Sequence, residues 1–291
     1  ILNFALYDFA NSAFTTIIIT FIFSTYFAKQ IAPNPVLGQS YWGWAIGFTG
    51  VLVAIIGPIL GSYADKKNFT ELFIKLFTMI CISLTTLLWF SKPSEKYLLF
   101  TLIIVALANF FYELSLIFYN SILKRISGTN NLGKSSGFSF ALGYIGGILI
   151  LIICIEIFID NDVLPFGLSK ENSENIRATS IVVAVWYLIF SIPFLFSLKK
   201  KINDKIKLSS DNKKKIKDLI WNNGLNNLGK FLIARMLYAD GLNAIIVMGG
   251  IFAVGVFNLE IKDLLILSIL MNVTAFIGAM IGGYANDKFS S

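Results

Sequence analysis

Four charged side chains lie well inside apolar runs of this 291-residue sequence: Asp8, Glu113, Arg235 and Asp240. On insertion scales a charge at the centre of a membrane helix costs roughly 2.5–3.5 kcal/mol. Such a residue is kept where it faces a wet cavity or a partner, and a carboxylate so placed can bind a proton or a cation. Its neighbours are polar at helical spacing. Asp8, Asn11, Ser12, Thr15 and Thr16 form one stripe. Within "ANFFYELSLIFYNS" (108–121), Asn109, Tyr112, Glu113 and Asn120 fall on roughly one face. Arg235 shares a face with Tyr238, and Asp240 with Asn243, whereas Arg235 and Asp240 are about 140° apart around a helix and are not expected to pair. Asp8, Asn11, Asn109, Glu113, Asn120, Arg235, Asp240 and Asn243 are therefore expected to line a substrate and ion pathway. Two competing roles are a helix cap for Asp8 and snorkelling to the headgroups for Arg235. Glu156, near a span end, reads as a snorkelling residue.

These side chains must be positioned by membrane helices. The chain is 56% hydrophobic and 14% charged, with a mean hydropathy of +0.74, where soluble domains are roughly a quarter charged. Eight apolar runs reach the length of about 20 residues needed to cross a bilayer as helix, near 5–28, 42–63, 71–91, 97–123, 136–159, 179–198, 228–257 and 263–285. None alternates as barrel strands do. The fold class is an all-α polytopic membrane protein. Lys66, Lys67, Lys124, Arg125, Lys134, the cluster from Lys199 to Lys217, and Lys288 fall on one side. Lys29, Lys92, Lys96, Lys170, Arg177 and Lys262 fall on the other, which places the N-terminus in the cytoplasm by the positive-inside rule. The run "KKKINDKIKLSSDNKKKIK" (199–217) lacks aromatic residues, so the net charge of +7 points to headgroups and topology rather than to nucleic acid. Cys81 and Cys154 sit in apolar runs and read as small core residues. No metal site or cofactor is expected. The absence of histidine removes Ser-His hydrolysis and His-ligated zinc.

Two pairs of segments repeat in the same order. "LYDFANSAF" (6–14) matches "LYADGLNAI" (237–245) in its Asp-x-x-Asn core. "GSYADK" (61–66) matches "GYANDK" (283–288), giving Gly61, Asp65 and Lys66 against Gly283, Asp287 and Lys288. Six spans separate the copies, so both units enter the membrane in the same direction, a parallel repeat of the kind found in secondary transporters. Residues 1–198 are expected to form a complete six-helix bundle and 199–227 a basic cytoplasmic loop. Residues 228–291 would begin a second bundle whose remaining four spans lie beyond the sequence, so both ends read as clipped. Asn68 and Glu71 have capping-box spacing for the third span. That leaves Asp65 to reach another helix terminus or a basic residue, as part of a cytoplasmic gate. Ser135, Ser139, Gly143 and Gly147, like Gly57 and Gly61, recur every four residues, a spacing that lets helices pack closely.

Gly61-x-x-x-Asp65-Lys66 resembles the loop signature of the major facilitator superfamily, although Lys67, Asn68 and Phe69 stand where that signature has a glycine and arginines. "YDFANSAFTTIIITFIF" (7–23), "FYNSIL" (118–123), "SSGFSFALGYIGG" (135–147) and "RMLYADGLNAI" (235–245) look like its vacuole-effluxer-like branch. The resemblance implies a twelve-span, two-bundle transporter working by alternating access, of which this chain holds the first six spans plus spans seven and eight. It also implies close-packing roles for Gly143, Gly146 and Gly147, to which the four-residue spacing adds Ser139. The expected function is secondary transport of a small solute, with amino acids or similar small metabolites as the substrate class and a proton or cation as co-substrate. The richness in Asn, Lys, Ile and Phe points to an AT-rich bacterial genome and its inner membrane. The rival readings are an intramembrane enzyme using Asp8 and Asp240 as paired carboxylates, a channel, and a non-transporting sensor or scaffold.

Overall fold

The computed structural model describes residues 1–128, 131–161, 163–198, 226–257 and 261–289. Eight long helices dominate: α1 (Leu2–Ile31), α2 (Pro35–Lys67), α3 (Thr70–Leu87), α4 (Leu98–Ser121), α5 (Leu132–Cys154), α6 (Glu174–Ser197), α7 (Asn227–Phe257) and α8 (Ile261–Phe289). Each overlaps one of the expected spans, and α1, α2 and α8 run past its apolar limits at both ends because a helix does not stop where the hydrocarbon does. Seven helical stretches are long and apolar enough to cross a bilayer among the described residues. The remaining helix, α7, has 31 residues and is about 46 Å long at 1.5 Å per residue. The chain is an all-helical integral membrane protein. The central basic cluster, residues 199–225, lies outside the described residues.

The first six helices form two groups of three. α1 packs on α5 and α6, α4 packs on α2 and α3, and α3 meets α6 to join the groups. α1 is the central helix and is buried along most of its length. It is not a uniform α-helix. It turns to π geometry over Phe14–Phe21 and again over Phe27–Ile31. The first π stretch contains six consecutive β-branched residues, Thr15 to Thr20, which crowd a helix. Around its start, the Ser12 and Thr15 hydroxyls donate to the carbonyls of Phe9 and Ser12 and compete with the normal ladder.

Hydroxyls tie the bundle together at its centre. Tyr7 Oη lies 2.6 Å from Thr78 Oγ1 and 3.2 Å from Tyr187 Oη, and donates to Ser115 Oγ at 3.1 Å. These four residues come from α1, α3, α6 and α4, and all are fully buried. Tyr119 stacks on Phe4 at 4.0 Å between ring centroids and donates its hydroxyl to the Phe4 carbonyl.

Several sequence expectations change at the helix ends. Asn68 does not cap α3. It adopts a left-handed conformation (φ 54°, ψ 46°) that closes α2, and α3 begins after Phe69 without a side-chain cap. Asparagine is the non-glycine residue best suited to that position, so it serves the helix behind it rather than the one ahead. Glu71 instead pairs with Arg125 at 2.7 Å. Arg177, counted among the basic residues of the outer segments, is buried in the first turn of α6. It donates to the carbonyls of Trp89 and Asn172 and lies over the Trp89 ring at 4.8 Å. Gly61 has nothing within 4 Å of the position a Cβ would take, so it is not a close-packing site.

Candidate functional site

The sequence stripe on α1 faces inward. Asp8 and Asn11 are both buried, and Asn11 Nδ2 donates to Asp8 Oδ1 at 3.2 Å. The Tyr112 hydroxyl reaches from α4 to Asn11 Oδ1 at 3.4 Å. A Cβ on Gly143 of α5 would lie 3.3 Å from the backbone oxygen of Asp8. On Gly146 it would lie 2.5 Å from the Phe9 carbonyl oxygen, and on Gly147 2.9 Å from Thr16 Oγ1. α5 can lie this close to α1 because these positions carry no side chain. Ser139 is buried one turn away from Gly143, and its hydroxyl has no hydrogen-bond partner among the described residues.

On α4 the expected single face divides. Tyr112 turns towards α1, while Asn109 donates to Thr49 Oγ1 of α2 at 2.8 Å. A Cβ on Gly57 would meet Ile117 at 3.0 Å. Both α2–α4 pairs are 60 positions apart, so the two helices run parallel in register and Glu113 stands level with Val53. Glu113 is half-buried and makes no hydrogen bond or ion pair with a described residue. With exposed Leu107, Ile117 and Asn120 it continues a stripe on α4 turned away from the bundle core.

On α7 both Arg235 and Asp240 are exposed. The Arg235 guanidinium lies over the Tyr238 ring at 5.5 Å and forms no ion pair with Asp240. The side chain of Asn243 lies outside the described residues. Asp8 and Asp240 are not brought into hydrogen-bonding contact among the described residues.

The two copies of the Asp-Lys motif have different surroundings. Asp287, near the end of α8, accepts from the backbone amides of Gly133 and Lys134 through its two carboxylate oxygens, each at 2.7 Å. Those are first-turn amides of α5, which no intrahelical carbonyl can satisfy, and the helix dipole favours an anion there. The approach depends on glycine. A Cβ on Gly133 would sit 2.5 Å from the Gly283 carbonyl oxygen, and one on Gly137 2.5 Å from that of Ala279. Lys134 lies over the Tyr284 ring at 5.6 Å, and Lys288 over Phe289 at 5.9 Å. Asp65 and Lys66, by contrast, are exposed, and Asp65 has no partner among the described residues.

Sequence reasoning did not find Gly133 and Gly137 as contact positions, although their four-residue spacing was visible. It also missed the Tyr7 hydroxyl cluster and the burial of Arg177, which depend on helices far apart in sequence. No group of three or more His, Cys, Asp or Glu side chains able to hold a metal occurs among the described residues.

A family model described as "Vacuole effluxer Atg22 like" matches residues 129–291. The chain is 26% identical over 302 residues to the uncharacterized MFS-type transporter YxiO of Bacillus subtilis, covering 99% of this chain and 68% of that protein. It is 25% identical over 190 residues to autophagy-related protein 22 of Yarrowia lipolytica, covering 56% of this chain and 31% of that protein. Autophagy-related protein 22-1 of Aspergillus fumigatus is 22% identical over 171 residues, covering 54% and 26%. The chain thus spans less than a third of each fungal relative. No solved structure matches.

Proposed function

Because the chain belongs to the vacuole effluxer Atg22-like family of membrane transporters, we propose that it moves a small polar solute by alternating access between two six-span bundles, residues 1–198 forming the first and 228–291 beginning the second. The observation that carries this reading is the clamp of Asp287 on the first turn of α5. It joins the two bundles at one membrane face through a contact that can be broken without unfolding either. Hydrogen bonds to a charged group contribute about 1.5–3 kcal/mol each, and conformational equilibria that ligands shift are a few kcal/mol deep. Gly133, Gly137 and Gly283 let the α5 and α8 backbones meet there, so the clamp and the glycine seam form one gate. Gly61, Asp65 and Lys66 are its counterpart by the repeat, with Asp65 available to a helix terminus of the second bundle.

The pathway runs along the exposed stripe of α4, with Glu113 and Asn120, towards Arg235, Asp240 and Asn243 of α7. Asn109 holds α4 against α2, and Asp8 with Asn11 forms a buried polar core beside the pathway. Glu113 carries the co-transported proton or cation. The solute is an amino acid or similar metabolite, and the protein resides in a bacterial inner membrane with its N-terminus in the cytoplasm.

The test is counterflow of labelled neutral amino acids into proteoliposomes of the full-length protein. Accumulation should fall at least tenfold in Asp240→Asn. In Glu113→Gln, flux should persist but no longer respond to an imposed pH gradient. Wild-type flux in Asp240→Asn removes that residue from the pathway. A wild-type rate indifferent to the gradient removes proton coupling. Absence of counterflow across the amino-acid panel removes the substrate class.

A further inference from the structure

We propose that the loop between the fifth and sixth spans is a membrane-interface anchor, inserting Phe166 and Val163 into the boundary between lipid headgroups and acyl chains. Phe166 is 95% exposed, the highest value for any large apolar side chain among the described residues, and Val163 is 81% exposed. In water both would forgo burial that stabilises such side chains by about 1.5–3 kcal/mol. The backbone makes the display more costly still. Leu168 N donates to the Pro165 carbonyl at 3.3 Å, closing a tight turn, and both central residues have positive φ: Phe166 at 60° (ψ 17°) and Gly167 at 71°. That is the geometry of a type I′ turn, whose central positions favour Asn, Asp or Gly. A bulky aromatic held there is a strained conformation, and strain of this kind calls for an external reason.

The surroundings indicate which medium receives the tip. Asn175 Nδ2 donates to the Phe158 carbonyl at 3.0 Å, and Arg177 to the Trp89 carbonyl at 2.8 Å. Both bases of the loop are thereby fixed level with the end of the third span, where Phe90 is also exposed. Ile152 and Ile157, along the last turns before the loop, are exposed in turn. Beyond the polar Asp160 and Asn161 the sequence turns apolar again at Val163-Leu164-Pro165-Phe166. Polar residues frame that tip, with Asp160 and Asn161 before it and Ser169 to Asn172 after it. The base is stiffened where the amide of Val163 donates to Asn161 and that of Ser169 to Glu174. A polar, braced base carrying an apolar aromatic tip is the arrangement that aromatic belts use at membrane interfaces, and a stiff base lowers the ordering cost of inserting the tip.

The test uses the full-length protein in phosphatidylcholine vesicles, with Cys81 and Cys154 replaced by alanine. A nitroxide is attached at Phe166→Cys or, leaving the turn untouched, at Val163→Cys. Ile157→Cys serves as the lipid-facing reference and Glu171→Cys, exposed and outside the brace, as the aqueous one. Collisions with oxygen, which concentrates in lipid, and with a water-soluble nickel chelate are read by saturation. Labels at 163 and 166 are expected to resemble 157, with an oxygen-to-nickel ratio at least threefold above that at 171. A ratio equal to that at 171 places the tip in water and overturns the proposal. Suppressed collisions with both reagents would show it packed against protein and would overturn it equally.

Discussion

Gly146 and Gly61 should answer the same substitution in opposite ways. A methyl on Gly146 would sit 2.5 Å from the Phe9 carbonyl oxygen and 2.9 Å from Ser12 Oγ, and a backbone oxygen cannot move aside without shifting α1. Overpacking of this kind typically costs 1–3 kcal/mol. Gly61 meets nothing within 4 Å, and alanine is the better helix former by up to about 1 kcal/mol. Thermal unfolding in detergent should therefore show Gly146→Ala melting several degrees below wild type, and Gly61→Ala at or above it. Equal effects would mean that α1 and α5 do not approach as closely as the geometry requires. The two glycines were not separable from sequence, because four-residue spacing marks a stripe without saying what faces it. Asn68 shows the same limit. An asparagine three residues before a glutamate fits a cap for the helix that follows, and equally fits a left-handed stop for the helix before it. Only the backbone at φ 54° decides.

At the scale of helices, the apolar runs made the spans visible because a hydrocarbon core imposes a length that few other environments do. What joins the spans was not visible. The Tyr7 cluster links four helices through residues 71, 108 and 180 positions apart, and each of its hydroxyls looks ordinary in its own segment. The π stretch of α1 was equally hidden, although its β-branched run could have prompted the question. Removing the Tyr7 hydroxyl would leave those of Thr78 and Tyr187 without it in a dry core, while Ser115 keeps its bond to the Tyr112 carbonyl; each unsatisfied buried polar group costs about 1–3 kcal/mol. Tyr7→Phe should therefore lower the stability of the bundle by at least about 1 kcal/mol. The partial effects of Tyr7→Phe and Thr78→Val should be non-additive in a double-mutant cycle, since the second change removes a group that the first leaves unpaired. Strict additivity would show that the 2.6 Å contact does not couple the two helices.

For the molecule as a whole, the repeat was readable because Gly-x-x-x-Asp-Lys recurs at the same end of spans two and eight. The partner of each aspartate was not, since a helix terminus is a target made of backbone and leaves no residue signature. The two copies now separate by circumstance: Asp287 holds the first turn of α5, while Asp65 faces outward. If the clamp biases the two proposed bundles towards the arrangement seen here, weakening it should repopulate the other arrangement. Asp287→Asn keeps an acceptor oxygen but loses the charge and one of the two acceptors. The expected loss is about 1.5–3 kcal/mol, a shift of roughly tenfold to a hundredfold in the equilibrium, at 1.4 kcal/mol per factor of ten. Spin labels at Lys124→Cys and Phe289→Cys, on the first bundle and on α8 at the same face, would report it by pulsed distance measurement. Wild type should give one short distance population, and Asp287→Asn an added longer one of comparable weight. Asp287→Glu should fall between them, because it restores the charge on a side chain one methylene too long for the same two amides. An unchanged distance distribution in Asp287→Asn, with helix content intact, would show that the clamp fastens the two bundles without governing their exchange.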